Sequence, residues 1–213
     1  MNRGYKVATI SRHATDQVNH FQCDISDFPK LRETLTKIQI GFYHLDVVVC
    51  VVGFGRSNQD FQNIDWMNHM VQNFMYVDVV FRQIAMSLRY TAKPIGITIG
   101  SRYSHSGIDF SFMLPYVCAK YALRGLTQDI AMRYPRASVN NYCVVPMDTP
   151  TRAEVYANMK EGDIARDLLA DPKIVAHGML EHALRGEYTG QTFIVNHDGL
   201  VFPIEDISLS KTD

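Results

Sequence analysis

Neither sign of charge predominates in this chain: Lys and Arg total 21, Asp and Glu total 22, and the formal net charge over 213 residues is -1. No run of Lys or Arg occurs, so the electrostatic footprint of a protein that binds nucleic acid or a membrane surface is missing. A small anionic ligand held by one or two cations stays compatible with this balance. No apolar stretch reaches the roughly 18 residues that a membrane-spanning helix requires, and the first residues show no signal-peptide pattern. A cytoplasmic protein without a membrane partner is expected. The four cysteines, Cys23, Cys50, Cys118 and Cys143, form no CxxC pair, and each sits in an apolar segment. That excludes the common zinc and redox motifs and reads as buried, reduced thiols. His177, Glu181 and His182 come nearest to a metal motif. Their spacing matches none of the zinc-protease patterns, so a solvated helix face and no metal site are expected. Repeats and low-complexity tracts are also missing.

What is present is an ordinary globular composition, 46% apolar and 20% charged, at a length that suits one domain over residues 1–213. Short apolar runs alternate with longer helical patterns. The pattern predicts strands at 6–11, 20–23, 45–52, 95–101, 138–145 and 191–195. It predicts helices at 28–38, 66–90, 114–134 and 172–185, the first capped by Asp24 or Ser26. Residues 45–52 are apolar on both faces, as a central parallel strand should be. The alternation predicts an α/β fold of right-handed βαβ units, a doubly wound, Rossmann-like parallel sheet in a single domain. Ligands of such sheets bind beyond the carboxyl ends of the strands. That points to Ser11 and Arg12, Asp24, Gly53, Ser101 and Pro146. The irregular stretch 147–171 follows a strand end and reads as a lid loop over a site.

Tyr116 and Lys120 stand four residues apart, which places both on one face of a helix. A nearby cation stabilises a phenolate and draws a tyrosine down from its ordinary value of about 10 toward the range of a general acid. Ser101 ends the preceding strand and would hold a substrate carbonyl beside that phenol. Together they read as a proton-donating site for carbonyl reduction. With no strong nucleophile and no metal, the electrons must come from a cofactor. Spacing alone is weak evidence, because Tyr156 and Lys160 repeat it. Context separates the pairs: the first follows a buried strand and opens a strong helix, whereas the second lies in the polar lid segment.

From residue 4 to residue 200 the chain resembles a short-chain dehydrogenase/reductase. YVCAK, ending at Lys120, resembles the family's YxASK, and ITIGS resembles its strand carrying the catalytic serine. Ser101 precedes Tyr116 by 15 residues, slightly more than is typical there. Asn73, opening NFMYVDVVFRQ, matches the asparagine that holds a water for proton relay. CDISD places Asp24 and Ile25 where the family contacts adenine, and YTGQTFIVNHDGL resembles its last strand. The resemblance implies Asn73, Ser101, Tyr116 and Lys120 as catalytic residues. It implies cofactor contacts from Ser11, Arg12, Asp24, Ile25, Gly53, Tyr116, Lys120 and Thr149. Ser11-Arg12 resembles members that use NADPH, in which an arginine clasps the 2′-phosphate, whereas NAD users tend to carry an acid. NADP(H) is therefore expected ahead of NAD. The implied partner is a small carbonyl or alcohol substrate. The segments 103–115 and 147–171 would line its pocket, and Phe110, Phe112, Met113 and Tyr156 favour an apolar one. A homodimer or homotetramer through the helices at 66–90 and 114–134 is also implied.

The departures from the family pattern are as informative. Its TGxxxGxG motif is absent from the place before Lys6 where it should lie, so the first βα unit is expected to be missing. In the family's strand order 3-2-1-4-5-6-7 the missing strand is central. The strands at 6–11 and 45–52 are therefore expected to present unpaired apolar edges, and a pyrophosphate would lose its cradle. The NNAG motif appears as Cys50-Val51-Val52-Gly53, the PG pair as Pro146-Met147, and His197 to Leu200 replaces the double glycine. Two readings stay open: an NADP(H)-dependent oxidoreductase, and a non-catalytic relative acting as a binding or assembly protein.

Overall fold

The computed structural model describes residues 4–53, 66–88, 91–105, 114–147, 149 and 169–204. In chain order these give β1 (Thr9–Ser11), β2 (His20–Gln22), α1 (Phe28–Phe42), β3 (Val47–Cys50), α2 (Trp66–Met70) and a π-helical turn (Val71–Met75). There follow α3 (Tyr76–Leu88), β4 (Ile95–Ser101), a 3-10 turn (Arg102–His105), α4 (Leu114–Arg133) and β5 (Ser138–Val144). The series closes with α5 (Pro172–Leu184), β6 (Thr192–Val195) and β7 (Val201–Pro203). β3 to β7 form one sheet in sequence order, parallel through β6, with β7 antiparallel at the far edge. This is a single Rossmann-like α/β domain. No helix among the described residues is long and apolar enough to cross a membrane.

The sheet is divided where the sequence led us to expect it. β1 and β2 make a separate parallel pair, and among the described strands β1 has only β2 as a neighbour and β3 only β4. Exposed valines stand in and beside these strands: Val7 before β1 is 57% exposed, Val49 in β3 38% and Val51 just past β3 75%. β3 is thus an edge strand among the described strands, as expected from the absent glycine motif, although it is apolar on both faces like a central strand. The central strands are β4 and β5, buried along almost their whole length. β5 reads as less apolar because its burial includes satisfied asparagines. Asn140 donates to the Tyr188 carbonyl at 2.8 Å and accepts from the Gln191 N–H at 3.1 Å.

One core spans the division. Cys23 beside β2 and Leu31 and Leu35 of α1 pack with Cys50, Val77, Phe81, Ile84, Leu123 and Val139. Ile10 of β1 and Val48 of β3 both lie against this cluster. α1 meets α3 through Phe28 edge-on to Tyr76, with centroids 5.7 Å apart, and through Gln39, which donates to the Gln83 carbonyl at 3.2 Å. The cap of α1 is Asp27, whose carboxylate accepts the Lys30 N–H at 3.1 Å. Neither Asp24 nor Ser26 caps it, because Asp24 folds back onto Ser26 instead. On the other face α5 covers Ile95, Ile97, Tyr142, Phe193 and Val195.

Two further expectations need correction. Cys118 is exposed, while Cys23, Cys50 and Cys143 are buried. His182 does not sit on a solvated face. The Tyr142 hydroxyl and its Nδ1 are hydrogen-bonded at 3.0 Å, and its ring stacks on Tyr188 at 5.4 Å.

Candidate active site

α4 turns a stripe of Ala119, Lys120, Leu123, Leu126, Thr127 and Ile130 into the core. A lysine in such a stripe must find acceptors, because a buried ammonium without them is strongly disfavoured. Lys120 is 3% exposed, and its Nζ donates to the Val52 carbonyl at 2.8 Å and the Ile99 carbonyl at 2.9 Å. These carbonyls lie just past β3 and near the end of β4, so the ammonium joins the carboxyl ends of two strands. Burial pulls its pKa down to about 8, and the Cys143 and Cys50 sites act weakly in the other direction. Burial also pushes both of those thiols up to about 12, which keeps them neutral. Half-buried Tyr116 sits one turn earlier on the same helix face, with Nζ 5.9 Å from its ring centroid.

Asn73 stands where the helix type changes. At the π turn the Tyr76 N–H bonds to the Val71 carbonyl, five residues back rather than four. Such bulges recur at functional sites, where they redirect side chains. Asn73 is fully buried and donates to the His69 carbonyl at 3.0 Å. Gly53 completes the junction. A Cβ there would lie 2.6 Å from Lys120 Nζ and 3.0 Å from Asn73 Oδ1, so a larger residue would push the ammonium from its place. Ser101, the last residue of β4 and 5% exposed, accepts the Tyr103 N–H on its Oγ at 3.3 Å. Its carbonyl accepts from the Ser104 hydroxyl at 2.5 Å, which fixes the turn leaving the strand.

The remaining candidates lie at the ends of β1 and β2. The Ser11 hydroxyl donates to the His13 carbonyl at 2.8 Å, and Arg12 is exposed beside it. Asp24 accepts from the Ser26 N–H at 2.9 Å and the Ser26 hydroxyl at 2.7 Å. These bonds, with a smaller contribution from Arg12, hold its carboxyl below the usual range. Ile25 is half-buried against the core. Half-buried Thr149 is described alone, between neighbours outside the described residues. Phe110, Phe112, Met113, Tyr156, Lys160 and most of the lid segment also lie outside them. The two ends of that segment meet: Met147 bridges Ala170 in parallel, and the Ala170 N–H donates to the Pro146 carbonyl at 3.0 Å.

The structure thus brings Asn73 and Lys120 against Gly53, with Tyr116 one turn away and Ser101 on the strand whose Ile99 carbonyl holds the ammonium. The sequence reading missed the π turn, the backbone acceptors of Lys120 and the two thiols beside it. Helix type and carbonyl direction leave no mark on residue identity, so no sequence signal would have found the first two.

No group of three or more His, Cys, Asp or Glu residues among the described residues could hold a metal. The donors suit the two ends of a dinucleotide. An exposed arginine and an aspartate stand at one end, and a flush glycine backbone beside a buried lysine stands at the other. Among the described residues no glycine-rich turn opens a helix between them to receive the phosphates.

Comparison with known proteins gives the family and the fold. The family model of the short chain dehydrogenases matches residues 2–161. A 3beta-hydroxysteroid dehydrogenase of Mediterraneibacter gnavus is 26% identical over 74% of this chain, which spans 58% of that protein's length. The aldohexose dehydrogenase of Thermoplasma acidophilum superposes with a TM-score of 0.79 at 20% identity, covering 92% of this chain and 84% of that one. The NADPH-dependent 3-quinuclidinone reductase of Rhodotorula rubra superposes with a TM-score of 0.66 at 18% identity, covering 84% and 71%. Most of the sequence matches one family, and the strands are laid out as in these folds; by descent the chain is a member of the short-chain dehydrogenase family.

Proposed function

We propose that this protein is an NADP(H)-dependent oxidoreductase that interconverts a carbonyl and an alcohol, with Tyr116 as the proton donor. The observation that carries the reading is the Lys120 ammonium, buried and clamped between the Val52 and Ile99 carbonyls one turn from Tyr116. Arg12 would clasp the 2′-phosphate, Ser11, Asp24 and Ile25 would hold the adenosine end, and Gly53, Lys120 and Thr149 would hold the nicotinamide end. The bound cofactor supplies the hydride. Ser101 holds the substrate oxygen, and Tyr116 gives it a proton in reduction and takes one in oxidation. Lys120, charged below about pH 8, stabilises the phenolate left behind. Asn73 holds the water that returns the proton. A relative named for a hydroxysteroid and a fold neighbour named for a ketone agree with this reaction class. The reading places the protein in the cytoplasm as a homodimer or homotetramer acting on an apolar substrate. Leu114, Tyr121 and Met132, exposed along α4, would form part of the contact between copies.

The divided sheet favours a second reading, a non-catalytic relative that binds or assembles with other molecules through the open edges of β1 and β3. One experiment separates the two. The chain is titrated with NADPH while nucleotide fluorescence is followed, and then assayed with ketones. On the first reading NADPH binds, and Tyr116→Phe removes turnover by a factor of about 100 or more while leaving binding within about twofold. No binding at millimolar nucleotide, or a fully active Tyr116→Phe variant, would overturn it.

A further inference from the structure

Beneath the site lies a polar group of residues that packing alone does not require. Thr98 of β4, Thr127 of α4 and Asn141 of β5 are each 0% exposed. Thr98 and Asn141 are register partners across neighbouring parallel strands, so their side chains leave the same face of the sheet. That face is the one α4 covers, since Leu123, Leu126 and Ile130 of α4 pack there with Val139 of β5. The Thr98 hydroxyl donates to Asn141 Oδ1 at 2.9 Å and lies 3.2 Å from the Thr127 hydroxyl. The Thr127 hydroxyl donates to the Leu123 carbonyl at 2.7 Å. The single Thr127 proton has two acceptors in reach, the Leu123 carbonyl and the Thr98 oxygen; turned to Thr98, it links helix, central strand and neighbouring strand through Thr98's own donation to Asn141. The Leu123 carbonyl keeps the Thr127 N–H of its own helix.

The chain continues toward the site. The Asn141 amide donates to Cys143 Sγ at 3.6 Å, and the Cys143 thiol is in hydrogen-bonding contact with Ser104 and the Ser101 backbone. Gly100 is pressed between them: a Cβ there would lie 2.7 Å from Cys143 Sγ and 2.9 Å from Asn141 Oδ1. Thr127 stands 11 residues after Tyr116 and seven after Lys120. At about 100° per residue both offsets return to the same helix face within about 20°.

We propose that Thr98, Thr127 and Asn141 are positioning residues, a buried hydrogen-bonded pin that sets where α4 sits on β4 and β5. The pin thereby sets the placement of Tyr116 and Lys120 relative to Ser101. Apolar side chains would bury as well without needing partners, whereas hydrogen-bond direction allows one seating of the helix where apolar contact allows several. The catalytic consequence rests on the oxidoreductase reading. The placement of Lys120 does not.

The test compares Thr127→Val, nearly isosteric and without the hydroxyl, with Thr127→Ser, which keeps it. Lysine labelled with 13C at Cε reports Lys120 by NMR in the full chain. In Thr127→Val the Lys120 signal moves and its titration midpoint rises from about 8 toward the ordinary lysine range. Turnover with NADPH and a ketone falls about tenfold or more while KM stays within about twofold, and Thr127→Ser restores both. If Thr127→Val does not fold, the double variant Thr98→Val/Thr127→Val, which removes both hydroxyls together, takes its place. A variant that loses stability yet keeps the Lys120 titration and the turnover per folded molecule overturns the proposal. A wild-type chain that binds no NADPH defeats the oxidoreductase reading separately, and the pin is then decided by the Lys120 titration alone.

Discussion

Lys120 is held in place by backbone carbonyls rather than by an acid, and that choice has a sign in pH. Its folded pKa is about 8, below the roughly 10.4 of an unfolded lysine. Between those values the unfolded chain holds a proton that the folded chain has released, so this residue's contribution to stability improves as pH rises through the window. Urea unfolding at pH 7.5 and pH 10 should show wild type gaining on Lys120→Met, by no more than about 3 kcal/mol. An equal pH dependence of the two proteins would show that the ammonium is not buried as described. At this scale the sequence told us that Tyr116 and Lys120 share a helix face, because that follows from spacing. It could not tell us the acceptors, since carbonyls are common to every residue. Cys118 shows the limit of reading an apolar segment as buried: two residues from both Tyr116 and Lys120, it lies on the far side of the helix. His182 shows the reverse error. Its Tyr142 partner lies 40 residues away in sequence, and nothing near His182 announces it.

The ends of β4, β5, α4 and α5 fall within about one residue of the predicted bounds, because their apolar periods are strong. β7 was not foreseen. It is three residues long, contains Pro203, and pairs only because the turn before it is tightly made. In that turn Asn196 Oδ1 accepts the N–H groups of Asp198 at 3.0 Å and Leu200 at 2.9 Å, and Gly199 takes φ +75°. The turn lies directly on α5, where a Cβ on Gly178 would overlap the Gly199 carbonyl oxygen. That oxygen is backbone and cannot swing aside. Gly178→Ala should therefore destabilise the protein by about 1–3 kcal/mol, although alanine is the better helix former at an ordinary position. Thermal unfolding measures this, and a stabilised Gly178→Ala protein would mean that α5 and the turn stand further apart. The π turn was equally illegible. Residues 66–88 carry one continuous helical pattern, and the extra residue per turn answers to the burial of Asn73 rather than to any local preference.

For the molecule as a whole, the division of the sheet was legible as a missing motif, but how the separated pair stays attached was not. The β1–β2 pair joins the larger sheet through one shared apolar core and through α1 against α3, with no ladder crossing between them among the described residues. A continuous sheet melts as one because each strand's hydrogen bonds depend on its neighbours. Here the described backbone offers two ladders, each complete without the other. The consequence is two levels of opening. The β1–β2 amides at Ser11 and Phe21 should exchange with deuterium through a partial unfolding that leaves Ile97 and Tyr142 protected. Native-state hydrogen exchange resolves the two populations, and a single common protection free energy would show that the core alone couples them. In a protein arranged this way, the segment bearing Ser11, Arg12 and Asp24 can detach and return while the half bearing Ser101, Tyr116 and Lys120 stays folded.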